Sequence, residues 1–381
     1  MSIYLGFKEV WRNKGRFFLF SLVIALIAVL VLFTAGLGEG LASANKEYLE
    51  KLDAQLLVFQ SETNYSTIES RLDYDKLAQA AEVDGVDAAG PIGFSNVKVV
   101  FDGSQEAVDV SYIGVESGKP GAPAVIEGGD LSSDGNTVLI DERLAKSTGL
   151  AVGDTITIKS TQGTEDQFFD LEVTGITEGQ RYFFRPSIFV DLETWQETKP
   201  SFAPGLISQS VVPNVIAVRL TDPDALESMS AKISAELDGV DVTDIKTAYQ
   251  AAPGYSAQQN TLNTIKGFTF LIGALVIGGF FQIQTLQKIP QIGMLKAIGA
   301  PNQAVANAAI FQIIFVTILG VALGGLAVLG LTLAMPDEVP IFFTGTSILI
   351  AVGSLLLIGP VGGMVSVRLA LKTEPLTALG M

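Results

Sequence analysis

Four long apolar runs without a charged residue divide the chain into parts of different character. They cover residues 17–38, 267–287, 297–336 and 339–367. A helix needs about 20 apolar residues to cross a bilayer, so each run is long enough for one crossing. The third run opens with the polar stretch "PNQAVAN", which moves the start of its membrane part inward. The pattern predicts four transmembrane helices, at 17–38, 267–287, 306–335 and 341–367.

Basic residues precede the first run, as they do in a signal peptide. Its apolar part exceeds the usual length of about 7–15 residues, so we expect a retained span. Ahead of it, residues 1–16 place apolar side chains among Lys8, Arg12, Lys14 and Arg16. This spacing fits a cytoplasmic amphipathic helix lying along the membrane surface. It fits equally a membrane anchor with positive flanks.

Lysine and arginine collect at alternate ends of the predicted spans. They precede the first span, stand between the second and third at Lys288 and Lys296, and follow the fourth from Arg368 on. The link between the third and fourth spans carries only acidic charges. Basic residues are enriched in cytoplasmic loops. We therefore expect a multi-pass plasma (inner) membrane protein whose two termini, including the tail 368–381, and whose loop 288–303 are cytoplasmic.

The long segment between the first two spans, predicted as the extracytoplasmic domain 39–262, is acidic. Residues 40–262 contain 15 Lys or Arg and 35 Asp or Glu, a net charge of −20, whereas the rest of the chain carries +4. The overall charge of −16 therefore combines two unlike parts. Neither part has the clustered basic face that nucleic acid requires, so no nucleic-acid partner is expected.

The extracytoplasmic segment is predicted to be a mixed α+β domain. Short β-rich runs such as "QLLVFQ" and "NVIAVRL" alternate with helical patterns and with Gly, Asp and Pro. "DYDKLAQAAEVDGVDAAGPI" and "DPDALESMSAKISAELDGVDVTDI" share one plan, a helix that closes on Asp-Gly-Val-Asp before a strand. Two such units at the ends of the domain resemble a split βαβ, porter-like arrangement, and residues 103–210 would then form an inserted β-rich subdomain. A chance likeness of two short helices is the other interpretation.

Composition excludes several kinds of chemistry. The chain has no His and no Cys, so it can form neither a Ser–His–Asp triad nor a zinc site of the usual ligands. It contains no phosphate-binding G-x-x-x-x-G-K-[ST] loop. Paired carboxylates are typical of a solvated acidic surface in a domain of this charge. We therefore expect no catalytic residues, no metal site and no cofactor bound by this chain itself, which would not be an enzyme.

The loop between the second and third spans, "LQKIPQIGMLKAIGAPNQAV", has the signals of a short capped helix. Pro290 suits its first turn, and Gly299 suits the position just past its end. Ile292, Leu295 and Ile298 recur at a spacing of three residues, which predicts one apolar face. Two turns are not stable alone, so the helix needs a groove to sit in. It would be either the docking element for a cytoplasmic partner with hydrophobic and acidic groups or an ordinary loop resting on lipid headgroups.

The same loop carries a family resemblance. "QIGMLKAIGAPNQAV" resembles the E-I-G-x-L-K/R-A-x-G-A signature of the MacB/FtsX-like permeases, the type VII ABC transporter family. "VLIDERLAKSTGLAVGDTITI" is similar to a stretch of that family's outer domain, and "RLALKTEPLTALG" resembles its C-terminal end. The order of one span, a large outer domain and three spans is also the family's. Gln291 departs from the pattern, because the family usually has Glu there.

The resemblance implies a permease subunit that couples ATP hydrolysis by a separate cytoplasmic ATPase dimer, which holds ATP and Mg, to movement of the extracytoplasmic domains (mechanotransmission). A second permease copy or homologue, the lipid bilayer and an extracytoplasmic adaptor or hydrolase are the other partners it implies. The implied work is export or extraction of a hydrophobic or amphipathic substrate. The residues that would contact the ATPase are Lys288, Pro290, Gln291, Ile292, Gly293, Leu295, Lys296, Ile298 and Gly299.

The cargo stays open among relatives of different function. The family includes haem exporters of the HrtB type, and "AGLGEGLASANKEYLEKLDAQLLVFQ" resembles their equivalent stretch. With haem as the substrate, Glu39, Tyr48, Tyr65 and Met335 are the candidate binding residues, since Met and Tyr can ligate haem. Glu39 as a marker of the water interface and Met335 as ordinary packing are the plainer interpretations. Regulation of cell-wall hydrolases, as by FtsX, and extraction of lipoproteins or peptides are the alternatives.

Glycines in the spans are predicted packing positions. Gly320 and Gly324 form a GxxxG pattern, which lets two helix backbones approach closely. The pattern fits a dimer interface or packing between helices of one chain.

Overall fold

The computed structural model describes residues 11–101, 107–132, 135–202, 211–252, 254–335, 339 and 341–372. The predicted N-terminal amphipathic helix falls largely, and the cytoplasmic tail beyond 372 entirely, outside these residues. The chain forms two compact units. One comprises the residues up to Leu41 together with those from Gln258 on, and the other spans Ala42–Ala257. We call them the helix unit and the sheet unit.

The helices of the described chain are α1 (Lys14–Glu50), α2 (Asp75–Glu82), α3 (Glu142–Thr148), α4 (Leu192–Thr198), α5 (Leu226–Glu236), α6 (Ile245–Ala251), α7 (Tyr255–Gln287), α8 (Ile289–Ala297), α9 (Asn302–Ala334) and α10 (Gly345–Lys372). The strands are β1 (Leu56–Gln60), β2 (Val86–Val100), β3 (Val108–Val115), β4 (Val125–Gly128), β5 (Thr137–Asp141), β6 (Thr155–Gln162), β7 (Glu165–Thr177), β8 (Ser187–Asp191), β9 (Val215–Leu220) and β10 (Val240–Asp244).

The first part of the sheet unit is a split βαβ sheet in the order β10-β1-β9-β2. Strand β9 pairs antiparallel with both β1 and β2, so the unit β1-α2-β2 encloses it. Likewise β1 pairs antiparallel with both β9 and β10, so β9-α5-β10 encloses β1. Each βαβ element leaves a gap between its two strands, and one strand of the other element fills that gap, as the two related sequence stretches predict. The split βαβ prediction is therefore confirmed.

Six strands close into a small barrel, while β4 lies outside the ring and pairs with β7. Its pairings run β2-β3-β8-β5-β7-β6, and β6 pairs back onto β2 at Lys98–Val100. Strand β2 is long enough to serve both parts. Its first half pairs with β9 up to Ile92, and its second half pairs with β3 from Ile92 to Val99. The β-rich subdomain is thus joined to the split sheet through a shared strand.

Alternation along the strands produces two cores on the split sheet. Leu56 and Val58 of β1 pack with α2 and α5 on one face, whereas Leu57 and Phe59 pack on the opposite face with Tyr48 of α1. Successive residues of a strand point to opposite faces, so both faces of β1 are covered.

The barrel has its own core, in which Trp195 of α4 is buried. A Cβ atom at Gly93 or at Gly114 would lie 2.5 Å from Trp195 side-chain atoms. Glycine at these two strand positions therefore makes the space that the indole fills. The indole Nε1–H donates a hydrogen bond to Ser95 Oγ at 2.9 Å. The ring thus satisfies its polar atom inside the core.

The last turns of α1 belong to the sheet unit and are held there by an ion-pair cluster. The Glu47 carboxylate accepts two hydrogen bonds from the Arg143 guanidinium, at 2.9 and 3.0 Å. Arg181 Nε lies 3.3 Å from the same carboxylate, and Lys51 Nζ lies 3.6 Å away. Burial acts to raise the pKa of Glu47, but Arg143, Arg181 and Lys51 outweigh it and hold that pKa below its ordinary value. The carboxylate is therefore stabilised in its charged form.

Backbone contacts reinforce this attachment. The Tyr48 N–H donates to Arg181 O at 3.1 Å, and the Phe184 N–H donates to Ala44 O at 3.0 Å. The Lys51 ammonium donates to Gly179 O at 2.6 Å. The segment 179–184 therefore follows the helix end closely.

The helix unit is an up-and-down bundle of α1, α7, α9 and α10. Within the ranges that the structure describes, these are the helices long and apolar enough to cross a membrane. Side-chain contacts fix the directions. Ile27 of α1 meets Gly273 of α7, while Phe20 stacks on Phe280, so these two helices are antiparallel. In α9 and α10, Thr317 meets Gly359 and Ile313 meets Gly363, which makes them antiparallel as well.

The GxxxG glycines pack within one chain. A Cβ atom at Gly320 would lie 2.6 Å from the Ile24 Cβ, and one at Gly324 would lie 2.6 Å from the Ala28 Cβ. Both glycines therefore bring α9 against α1, with the two helices parallel. Of the two roles predicted for this pattern, the structure supplies contacts for intramolecular helix packing.

Replacing Gly324 by Val should destabilise the helix unit by about 1–3 kcal/mol, because the added side chain overlaps Ala28 and the Ala25 carbonyl. The matched control is Gly325→Val, the next residue of α9, where an added Cβ meets no atom within 4 Å. Thermal unfolding of both variants in detergent measures the difference. Equal unfolding temperatures for the two variants would contradict this packing.

Replacing Glu47 by Gln should lower the free energy of unfolding by about 1–2 kcal/mol at pH 7, since it removes a carboxylate held by charged donors. The expected loss of unfolding free energy is no larger than this because the Arg143 side chain is partly exposed, and solvent screens its charge. The folded-state pKa of Glu47 lies below the ordinary 4.5. Its contribution is therefore present above about pH 4.5 and is lost as the pH falls through the folded pKa.

The effect can be followed by denaturant unfolding of the full chain in detergent, monitored by the fluorescence of buried Trp195. Glu50→Gln is the control, because Glu50 pairs only with Lys46 at an exposed position among the described contacts. A Glu47→Gln effect that is the same at pH 4 and pH 7 would show that the charge does not contribute.

Candidate functional site

Helix α8 is formed by local signals at both of its ends. It begins at Ile289, with Pro290 in its first turn. At its end Gly299 adopts a positive φ of 95°. The Gly299 N–H donates to Lys296 O, and the Ala300 N–H donates to Leu295 O, each at 3.0 Å. This pair of bonds is a Schellman motif, which requires a residue that tolerates a left-handed conformation, usually glycine.

One side of α8 packs against the bundle. Ile292 and Gly293 are buried. The Lys296 ammonium donates to the Leu371 carbonyl in the last turn of α10 at 2.8 Å, and the Lys288 ammonium donates to Gln312 Oε1 of α9 at 3.3 Å. The two lysines thus connect α8 to the helices on either side of it.

The other side of α8 is an exposed, uncharged face. Met294 is 58% exposed, Leu295 38% and Ile298 78%, and Gln291 is exposed beside them. These residues recur at i, i+3, i+4 and i+7, the spacing of one helix face. We call this set the α8 face.

The α8 face differs from the one predicted. Ile292 was expected beside Leu295 and Ile298, but it points into the bundle, because three-residue steps drift around a helix of 3.6 residues per turn. Gly293 is buried with it. Met294, which was not among the predicted docking residues, also belongs to the face. Its position three residues after Gln291 and four before Ile298 is the sequence signal for this.

A cavity of about 500 Å³ lies beside α8. Its wall includes Gln291, Ile292 and Leu295 of α8, the end of α7 and the first turns of α9. Arg12 and Asn13, just before α1, complete the lining among the described residues. All of these residues belong to the helix unit. We call it the α8 cavity, and the end of the bundle where it lies the basic end.

Glu39 and Met335 lie at the opposite end of the bundle. A Glu39 carboxylate oxygen accepts a hydrogen bond from Ser347 Oγ at 3.0 Å, in the first turn of α10. Met335 directly follows the last residue of α9 and is half-buried. Phe343 packs on Gly36 nearby. Glu39, Met335 and Phe343 therefore lie at the same end of the bundle.

Tyr48 is buried inside the sheet unit, and Tyr65 is half-buried at the edge of the same core. Tyr48 is 1% exposed, and its hydroxyl donates to Gly121 O at 2.8 Å. Burial raises the pKa of the Tyr48 hydroxyl well above its ordinary value, so the phenolate that would ligate iron is disfavoured. Tyr65 packs edge-on against Phe59. These contacts favour a packing role for both tyrosines over the predicted ligand role.

No group of three or more Asp or Glu residues spaced to hold a metal ion occurs within the ranges that the structure describes. Four long apolar helices, an acidic sheet unit and a short interhelical helix with an exposed apolar face are the features of a membrane protein with a large domain outside the apolar helices.

Comparison with known proteins gives the family. The profile of the MacB-like periplasmic core domain matches residues 17–236, and that of the FtsX-like permease C-terminal region matches residues 263–375. The two matches cover most of the chain. The protein belongs to the MacB/FtsX-like family of ABC transporter permeases, and it is a membrane protein.

Several relatives align over nearly the full length. A candidate hemin transport system permease protein, HrtB, of Staphylococcus haemolyticus is 27% identical over 99% of both chains. The HrtB of a Staphylococcus epidermidis strain is 25% identical over the same shares. An uncharacterized ABC transporter permease of Mycobacterium tuberculosis is 22% identical over 84% of both chains.

Among solved structures, the periplasmic region of MacB from Actinobacillus actinomycetemcomitans is similar to 52% of this chain over 91% of its own length, with 13% identity and a TM-score of 0.37. The extracellular domain of the ABC-type transporter YknZ from Gram-positive bacteria is similar to 50% of this chain over 98% of its own length, with 14% identity and a TM-score of 0.35.

Proposed function

We propose that this permease is driven by a separate cytoplasmic ATPase that docks on the α8 face. The observation that carries the proposal is the exposure of Met294, Leu295 and Ile298 on a short helix whose opposite side is anchored to the bundle. A water-exposed apolar face of this kind is a typical helix-in-groove anchor. The basic end would then be cytoplasmic, in agreement with the distribution of lysine and arginine.

The chemistry expected of the partner follows from the α8 face. The face itself is uncharged, and the nearby lysines already contact Gln312 and the Leu371 carbonyl. The partner groove should therefore be mainly apolar, with polar groups for the Gln291 amide. This differs from the family pattern, in which Glu at that position would call for a basic group on the ATPase.

Two continuous helices offer a path for force from α8 to the sheet unit. Helix α7 directly precedes α8 and begins at Tyr255, within the sheet unit. Helix α1 runs from Lys14 to Glu50, and its last turns are held in the sheet unit by Glu47. A displacement of α8 would therefore be passed on along helices that are attached at both ends. This continuity of α1 and α7 supports the proposed mechanotransmission.

Replacing Ile298 by Asp should weaken ATPase association by about 30-fold or more, since a central apolar anchor contributes about 2 kcal/mol or more to an interface. The measurement is titration of the purified ATPase onto the permease in nanodiscs. The control is Gln303→Asp, which adds the same charge at an exposed position of α9. Unchanged affinity with Ile298→Asp would exclude the α8 face as the docking site.

Haem is the cargo that we propose, in the outer part of the bundle near Glu39 and Met335. Relatives aligned over 99% of both chains carry the name of a hemin transport permease. A carboxylate and a thioether near an aromatic ring can serve an iron porphyrin as ligands and packing surface. Haem is the transported substrate in this proposal, and the chain holds no resident cofactor.

Hemin titrated into the purified protein should give a saturable change in the Soret absorbance, and Glu39→Ala or Met335→Ala should weaken binding by about tenfold. Tyr48→Phe is the control. It removes only a hydroxyl that donates to Gly121 O inside the sheet unit, so it should leave hemin affinity unchanged. A non-saturable change, or equal binding by all variants, would exclude haem as a specific ligand of this region.

Two other functions fit the same fold. In one, the sheet unit would bind a cell-wall hydrolase and nothing would be transported. In the other, the permease would extract a lipoprotein or an amphipathic peptide. Both retain the ATPase and the α8 face, so failure of the hemin experiment leaves the docking proposal intact.

A further inference from the structure

The α8 cavity has an unusual set of charges. Arg12 and Lys288 line it, and no acidic side chain does so among the described residues. A second cavity of about 260 Å³ shares Gln284 with it and is lined by Arg16, also without an acid among those residues. The two cavities therefore present three basic side chains. Such a lining favours a negatively charged occupant.

Gln284 supplies the second observation. It is 4% exposed, and its Oε1 atom has no hydrogen-bond partner. An unsatisfied buried acceptor costs about 1–3 kcal/mol, so native structures usually provide a donor. Because Gln284 lines both cavities, an occupant with a hydroxyl group could donate to it there.

The apolar surroundings indicate what else the occupant carries. Phe281 of α7 and Ile313 of α9 line the α8 cavity. Ile283, which lines the second cavity, also belongs to α7 and is 59% exposed. A helix surface of this composition meets acyl chains in a bilayer. The cavity lies where α7 ends and α9 begins, which is headgroup level for helices that span the membrane. Its volume is that of a small-molecule site.

We propose that the α8 cavity and its neighbour form a binding site for an anionic phospholipid with a hydroxyl-bearing headgroup, of which phosphatidylglycerol is the probe. The phosphate contacts Arg12 and Lys288, a headgroup hydroxyl donates to Gln284 Oε1, and the acyl chains lie along the exposed side of α7. The buried Ile292 lines the cavity from the inner side of α8. Gln291 and Leu295, at the edge of the α8 face, line it as well, so the bound lipid contacts both the inner side of α8 and one edge of that face. The site does not depend on the ATPase or the cargo.

Native mass spectrometry of the full chain released from nanodiscs tests the site. In discs of equal phosphatidylglycerol and phosphatidylcholine, we expect the protein to retain phosphatidylglycerol at least tenfold in excess. The double variant Arg12→Gln/Gln284→Leu should lose this excess. The control Lys14→Gln, which removes an exposed cation of α1 that lines neither cavity, should retain it within twofold.

Four results would overturn the proposal, the fourth being displacement by a soluble anion. The first is equal retention of the two lipids by the parent protein. The second is undiminished retention of phosphatidylglycerol by the double variant. The third is binding that appears only after removal of residues 2–10, which would mean that the protein's own first residues fill the cavity. Displacement of the lipid by soluble glycerol phosphate at micromolar concentration would instead assign the site to a free anion and reject the lipid.

Discussion

Helix α1 is one continuous helix whose first part must suit lipid and whose last turns must suit a water-exposed domain. The rest of the structure depends on how its residues meet both requirements. Its first part is uncharged from Phe17 to Gly38 and packs against α9 through glycines. Its last turns place Glu47 beside two guanidinium groups. A carboxylate that is partly buried costs free energy unless it is paired and hydrogen-bonded. The pairing with Arg143 and Arg181 therefore offsets the cost of burying the Glu47 carboxylate where α1 ends in the sheet unit.

The second requirement concerns α8, a helix too short to be stable alone. Its stability comes from a Schellman motif, two buried residues and two lysine contacts with neighbouring helices. None of these interactions uses the side chains of the α8 face. A face of this kind can be specialised for a partner without loss of the fold. Lys288 and Lys296 look like docking residues in the sequence. In the structure they contact their own chain and hold α8 in place.

Much of the architecture could be predicted from sequence because its signals are local. Uncharged runs identified the membrane helices, and two similar stretches identified the split βαβ plan. The α8 face was predicted only in part. Leu295 lies on it, whereas Ile292 points into the bundle, because residues three apart do not stay on one face of a helix with 3.6 residues per turn. The barrel closure could not be foreseen, because the pairing of β6 with β2 joins residues far apart in sequence. The contact of Gly320 with Ile24 also depends on tertiary packing that a GxxxG pattern does not specify.

Strand β2 belongs at once to the split sheet and to the barrel, and this limits how the domain can change. Side chains alternate along a strand, so a one-residue insertion near Ile92 would turn every later residue of β2 to the opposite side. Valines of the barrel interior would then face water. Natural or engineered exchange of the barrel between homologues must therefore carry β2 intact, with crossover points in loops. The two parts of the domain are expected to diverge as one inherited block.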